Sequence, residues 1–276
     1  MGRPVTTMVM SGFRAAAQLV ARRPLLVLAW LGVLLVPAFL ATLPFDLALG
    51  NALDLRPAAT RLVTPPTHDA WWLMLWRQQS ALPAAGVGSV LLTLLVSLPL
   101  AWIVSGFVTQ AARGEAHAAA YVAARSVGVA LVGLPLRVLV WAAAAMAGSP
   151  AVSALTPHAV LYPTLGALVI YAFGSSFIAV LGDYARAFAF AEPGGPLRNA
   201  WRRAFACART RPHWTLCLTL FELALGALAF APALLTRPLG LYSLATGALA
   251  LIALVVRATG SVVGIAAATG AASRSA

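Results

Sequence analysis

Residues 85–110, AGVGSVLLTLLVSLPLAWIVSGFVTQ, run without a charged side chain. A helix rises about 1.5 Å per residue and needs about 20 apolar residues to cross a ~30 Å hydrocarbon core, so this stretch reads as a transmembrane helix. Directly after it comes ARGEAHAAAYVAAR, residues 112–125, with arginine near one end and at the other. The alternation of apolar run and arginine-bearing gap recurs along the chain, with further runs at 24–44, 126–147, 159–182, 213–234 and 239–262. The expected fold is all-α: a polytopic transmembrane helical bundle of six spans, forming a single integral membrane domain over 1–276. Pro37, Pro99, Pro135, Pro163 and Pro232 lie in or near the ends of these runs. Neighbouring helices re-satisfy the backbone groups that proline frees, so kinks are expected rather than breaks.

Composition agrees. The chain is 61% hydrophobic and 9% charged, with a mean hydropathy of +0.89, whereas a soluble domain carries about 25% charged residues. All 19 basic residues are arginine, as codon bias in a GC-rich bacterial genome would give. The net charge of +12 is not read as nucleic-acid binding, because the arginines flank apolar segments. There they serve as an orientation signal and attract anionic lipid headgroups. Arg3, Arg14, Arg22, Arg23, Arg113, Arg125, Arg186, Arg198, Arg202, Arg203, Arg209, Arg211 and Arg274 fall on one side of the expected spans. Arg56, Arg61, Arg77 and Arg237 fall on the other, offset by Asp46, Asp54 and Asp69. Positive-inside logic places the N- and C-termini in the cytoplasm, and the protein in the bacterial cytoplasmic (inner) membrane as a multi-pass chain. The first apolar run exceeds the roughly 7–15 residues of a cleavable signal core, so it is expected to stay as a span.

The outer segment 45–84 contains THDAWWLMLWRQQ, residues 67–79. Thr67 is a helix N-cap candidate there, and Trp71, Trp72 and Trp76 suit the headgroup level, forming an outer interfacial belt. A lid of aromatic side chains over a substrate is the competing reading.

A self-match at an offset of 188 residues pairs Phe13-Arg14 with Trp201-Arg202, Ala16 with Ala204, and Arg23-Pro24 with Arg211-Pro212. In the second copy Leu197, Trp201, Ala204, Phe205 and Ala208 share one helical face, and Arg198, Arg202 and Arg209 the other. Such an amphipathic helix lies flat on the cytoplasmic surface, which makes Arg198, Arg202, Arg203, Arg209 and Arg211 candidate lipid-headgroup contacts. With the gap at 112–125 in the same position, three units are expected: 11–110, 112–182 and 196–262, each a surface helix followed by two spans.

Ionisable groups within spans are costly and therefore informative. Arg137 and Glu222 enter from the same side to a similar depth and form a candidate intramembrane pair. Asp183, Arg186 and Arg257 are candidates at the cytoplasmic interface, with an Asp183–Arg257 bridge as one arrangement. Gly260 and Gly264 form a GxxxG step that allows close helix approach. Cys207 and Cys217 have neither zinc nor disulfide spacing. His68, His117, His158 and His213 are scattered, and Ser175 and Ser176 have no His and acid beside them. No catalytic, metal or cofactor-binding residue is assigned, and no cofactor is expected.

The run Gly182-Asp183-Tyr184-Ala185-Arg186, the basic helix Leu197–Arg211 closed by Pro212, and Gly106-Phe107 with Arg113-Gly114-Glu115 carry a resemblance. On these residues the chain is similar to a group of bacterial six-span inner-membrane proteins: the membrane domain attached to some glycerophosphodiester phosphodiesterases, and YciC-like proteins. The resemblance implies a stand-alone membrane domain and carries no phosphodiesterase activity with it.

Three functions are compatible with this pattern. The first is a non-enzymatic scaffold or lipid-associated accessory, with membrane lipids and a protein partner or a second copy as its partners. The second is a transporter or the permease subunit of an ATP-driven system. Glu115-Ala116 and Leu134-Pro135 resemble part of a permease coupling loop, although Tyr121 replaces its glycine. The third is an intramembrane enzyme acting on lipid, for which the sequence has no recognisable acid, base or metal cluster.

Overall fold

A computed structural model describes residues 5–53, 81–152, 157–228 and 244–273, and their regular structure is entirely helical. Eight helices follow one another among the described residues: α1 (Val5–Arg22), α2 (Pro24–Leu53), α3 (Ala81–Arg113), α4 (Ala119–Val152), α5 (Pro157–Ala191), α6 (Leu197–Thr210), α7 (Pro212–Leu228) and α8 (Leu244–Ser273). Among the described residues four segments are long and apolar enough to cross a membrane: Leu95–Arg113, Ala119–Pro150, Leu161–Ala191 and Leu249–Ser273. Counting the bent pair α1–α2 as one span makes five, and α7 is a shorter apolar helix. These helices support a multi-pass membrane protein, with four or five candidate spans by length and composition among the described residues, against an expected six over the whole chain. The expected fifth span, 213–234, extends beyond Leu228 into residues outside the described ones, as does the start of the sixth at 239–243.

By contact the chain divides into two compact units, Met1–Leu31 with Trp102–Ala276, and Gly32–Ala101. The second comprises most of α2 and the first two-thirds of α3. All packing and sites described below belong to the first.

Two helix breaks have one cause. Arg23 and Arg211 are single non-helical residues, and each is followed by a proline that opens the next helix. Proline disfavours the helical conformation in the residue before it, and at the first position of a helix it gives up no hydrogen bond. At both breaks the arginine N–H still reaches back one turn, Arg23 to the Leu19 carbonyl at 2.9 Å and Arg211 to the Cys207 carbonyl at 3.0 Å. α1 and α2 meet at 90° across Arg23. The third expected surface helix, 112–125, differs. Gly114 takes a positive φ of 71° and ends α3, and α4 then runs unbroken from Ala119 into its apolar segment because no proline follows Arg125. Pro99, Pro135 and Pro163 lie within helices that continue past them.

α5 is the axis of the packing. Every residue from Leu181 to Phe190 is buried, and the main core cluster gathers on this half of α5 from α1, α4, α6, α7 and α8. A second, smaller cluster joins Val108 of α3 with Val262 and Ile265 of α8, covered by Val20 of α1 and Trp30 of α2. The expected span ends at 182 and 262 therefore fall short. α5 continues to Ala191 and α8 to Ser273, and Asp183 and Arg257 lie well inside their helices. The extensions are rich in alanine, the best helix former. The arginine at 186, counted as a gap residue, is a core residue here.

α6 docks on α4 through Trp201. The indole N–H donates to the Val129 carbonyl at 2.8 Å, and the ring fills a slot at Gly133, where any Cβ would collide with it. The buried stripe of α6 is Ala200, Trp201, Ala204 and Cys207. Phe205, expected on that face, is 45% exposed, because the position after Ala204 turns about 100° away from the stripe on a helix. Neither Cys207 nor Cys217 forms a disulfide.

Gly133→Ala is expected to force Trp201 from its slot and to destabilise the protein by about 1–3 kcal/mol, the range for overpacking. Gly166→Ala, where a Cβ meets open space, is expected to be neutral or stabilising by up to about 1 kcal/mol. Thermal unfolding of the two variants in the same detergent checks the contrast.

The α3–α4 turn carries a second prediction. Arg113 Nε donates to Glu115 Oε1 at 2.7 Å and His117 Nε2 lies 3.3 Å from Oε2. The Arg113 hydrogen bond holds the Glu115 carboxyl below the usual glutamate range, against the opposing effect of burial. A depressed folded pKa contributes stability above the ordinary value and loses it as pH falls through the depressed one. The stability gap between wild type and Glu115→Gln is therefore expected to be present at neutral pH and to close as pH falls below the ordinary glutamate range.

Candidate functional site: charges inside the helix packing

The central feature is an ion pair within the buried run of α5. Arg186 Nη2 pairs with Asp183 Oδ1, one helical turn apart, and both residues are at most 6% exposed. Isolated charges cannot be buried at such depth without a partner. Three more ionisable side chains approach this pair from other helices. Arg137 of α4 is within electrostatic reach of Arg186, Asp183 and Tyr171. Glu222 of α7 feels Asp183, Arg257 and Arg186, and Arg257 of α8 feels Glu222. The cluster thus holds three arginines and two carboxylates.

The structure brings the five predicted residues into one electrostatic neighbourhood with its own choice of partners. Asp183 takes Arg186 rather than Arg257, because i and i+3 share a helix face. Arg137 and Glu222 do not form an ion pair with each other, and the arginine that acts on Glu222 most strongly is Arg257. Gly264 makes this possible: a Cβ there would lie 2.7 Å from Glu222 Oε1, and a Cβ at Gly260 would strike Leu225. The GxxxG step of α8 is thus the surface on which α7 lies, and it admits a carboxylate. Arg186 Nε remains buried without a hydrogen-bond partner. Next to the cluster, Tyr184 Oη and Thr215 Oγ1 are 3.3 Å apart and join α5 to α7.

The five arginines expected at lipid headgroups separate into two sets. Arg198, Arg202 and Arg209 are exposed. Arg203 pairs with Glu192 and stands 4.8 Å over the Phe188 ring, a cation–π contact. Arg211 Nη1 donates to the Ala271 carbonyl at 2.8 Å. Trp71, Trp72 and Trp76 lie outside the described residues.

Sequence reading assigned Arg125 only to the orientation count. Its Nε donates to the Ala189 carbonyl at 3.2 Å, and Nη2 donates to the carbonyls of Glu192 at 2.8 Å and Gly195 at 2.7 Å. Arg125 thus ties the last turn of α5, at Ala189, to the turn that follows it, and Arg211 reaches the last turn of α8; at both helix C-termini the helix dipole favours positive charge. A basic residue in an inner gap is common to both roles, so nothing local in the sequence marks the capping arginines.

Among the described residues no three His, Cys, Asp or Glu side chains gather as metal ligands would. The carboxylates of the cluster face guanidinium groups, an arrangement that neutralises charge and fixes helix register.

Asp183→Asn is expected to cost about 3–5 kcal/mol, the range for breaking a buried pair and leaving its partner unpaired. Asp183→Asn combined with Arg186→Met removes the stranded charge and is expected to recover a measurable part of that loss in denaturant unfolding. No family model, curated protein or solved structure matches the chain.

Proposed function

We propose that the protein is a non-enzymatic, lipid-associated scaffold of the bacterial inner membrane, with both termini in the cytoplasm. The observation that carries this reading is the division of labour on α6. One face is held against α4 by Trp201, while Arg198, Arg202 and Arg209 point away from the protein. A helix fixed in this way presents cations at the level of anionic headgroups, each arginine contributing about 1 kcal/mol of attraction. The right-angled α1–α2 junction supports a second surface helix of the same kind. The excess of arginine in the gaps adjoining α1 and α6 supports the orientation. The likeness to YciC-like membrane domains points to the same kind of stand-alone role.

A second reading, a transporter or permease subunit, draws on the buried charges of α4, α5, α7 and α8, since intramembrane ionisable residues often mark transport paths. Here Asp183 is engaged by Arg186, which favours a structural use. Copurification with a nucleotide-binding subunit would promote the transport reading.

Amide exchange of α6 in nanodiscs tests the proposal. Protection of residues 197–210 is expected to be greater in phosphatidylglycerol-containing discs than in phosphatidylcholine discs. Replacing Arg198, Arg202 and Arg209 together by Gln is expected to abolish that difference, a change of up to roughly 3 kcal/mol at about 1 kcal/mol each. Equal protection in both lipids would overturn the reading.

A further inference from the structure

Where α5, α6 and α7 meet, an apolar recess of about 480 Å³ opens at the protein surface. Its size lies in the range of sites that take small molecules, roughly 300–1,000 Å³. Phe173 and Phe177 of α5, Phe205 of α6, and Leu216 and Thr219 of α7 line it, and Arg209 stands at its edge. The recess has two structural origins. Phe205 is turned off the buried stripe of α6, and the chain changes direction at Arg211-Pro212, so α7 leaves α6 at a corner that no side chain fills. Phe173, Phe205 and Leu216 are each more than 40% exposed, so the lining faces outward.

Arg209 distinguishes this recess from an ordinary gap between helices. The neighbouring arginines are engaged: Arg203 by Glu192 and Phe188, Arg211 by the Ala271 carbonyl. Arg209 is exposed and makes no hydrogen bond or ion pair among the described residues. Arg202 lies seven residues earlier, two helical turns and about 10.5 Å along the same side. A dry, aromatic-walled recess with a free guanidinium at its edge is complementary to a ligand with a hydrocarbon tail and an anionic head. The planar fork of arginine suits a phosphate.

We propose that this recess binds one anionic glycerophospholipid, with an acyl chain between Phe177 and Leu216 and the phosphate on Arg209. The proposal rests on the reading above that α6 lies at the inner leaflet, and it adds a discrete site to what would otherwise be a diffuse basic surface. Arg209 serves as the headgroup anchor, and Phe173 and Phe205 form the walls that exclude a second chain.

Photo-crosslinking in nanodiscs of mixed phosphatidylglycerol and phosphatidylcholine provides the test, with a trace of either lipid carrying a diazirine in its acyl chain. The phosphatidylglycerol probe is expected to label peptides containing 173–177 and 216–219 severalfold more than the phosphatidylcholine probe. Arg209→Gln is expected to reduce that labelling about tenfold, the weight of one charge-assisted hydrogen bond. Leu216→Trp, which fills the recess from an exposed position, is expected to reduce it comparably. Arg198→Gln, which removes the same charge from α6 away from the recess, is expected to leave the labelling within about twofold, because an exposed charge that makes no contact with the bound lipid contributes little. Equal labelling by the two probes, or equal effects of Arg198→Gln and Arg209→Gln, would overturn the site. In either of those cases a persisting phosphatidylglycerol dependence of α6 exchange would leave the broader lipid-association reading standing. Because Arg209 has no partner among the described residues, an unchanged melting midpoint of Arg209→Gln separates lost binding from lost fold.

Discussion

Burying the Asp183–Arg186 pair in the middle of α5 constrains everything packed around it. A guanidinium and a carboxylate taken out of water need each other, and their remaining polar atoms need shielding or partners. The helix supplies the first requirement by placing the two residues one turn apart. The second is met by α4, α6, α7 and α8, which enclose the run from Leu181 to Phe190. The same enclosure brings Arg137, Glu222 and Arg257 towards the pair. A single buried charge pair thereby becomes a five-residue cluster, and the register of four helices is tied to it.

Small residues make that enclosure possible. Gly133 admits the Trp201 ring, Gly260 admits Leu225, and Gly264 admits the Glu222 carboxylate. In a membrane the hydrophobic effect does not drive helices together, so close packing and polar contacts carry the association. The glycines let a tryptophan and a glutamate sit where a Cβ would exclude them. The arginines at helix ends act alongside: Arg125 binds carbonyls of the last turn of α5 and of the turn after it, and Arg211 a carbonyl in the last turn of α8. Part of the basic excess of this chain is therefore structural, whereas Arg198, Arg202 and Arg209 remain exposed.

The relation between the first and second surface-helix segments is physical as well as textual. Arg23-Pro24 and Arg211-Pro212 break the chain in the same manner, and the following helices start at proline in both. The segment at 112–125 shares the arginines but lacks the proline, and α4 accordingly runs through Arg125 without a break. Proline placement, more than arginine placement, decides whether a basic segment becomes a separate helix.

Much of this was legible in the residues. Long apolar runs dictate helices because hydrocarbon offers no partner for a free backbone amide, and the Arg-Pro steps mark two helix starts. The stripe of α6 was readable from its spacing apart from Phe205, whose position at the boundary of the face allows either side. The helices continue past the expected span ends at 182 and 262, to Ala191 and Ser273, because a buried charge does not have to mark the edge of the membrane. Its neutralisation by Arg186 or Glu222 depends on partners that are local in one case and on another helix in the other. Which arginines turn inward, which glycines receive a side chain, and where α5, α6 and α7 leave a recess were decided only by tertiary structure. Those outcomes depend on contacts between residues far apart in the chain, and hydropathy along the sequence contains no term for them.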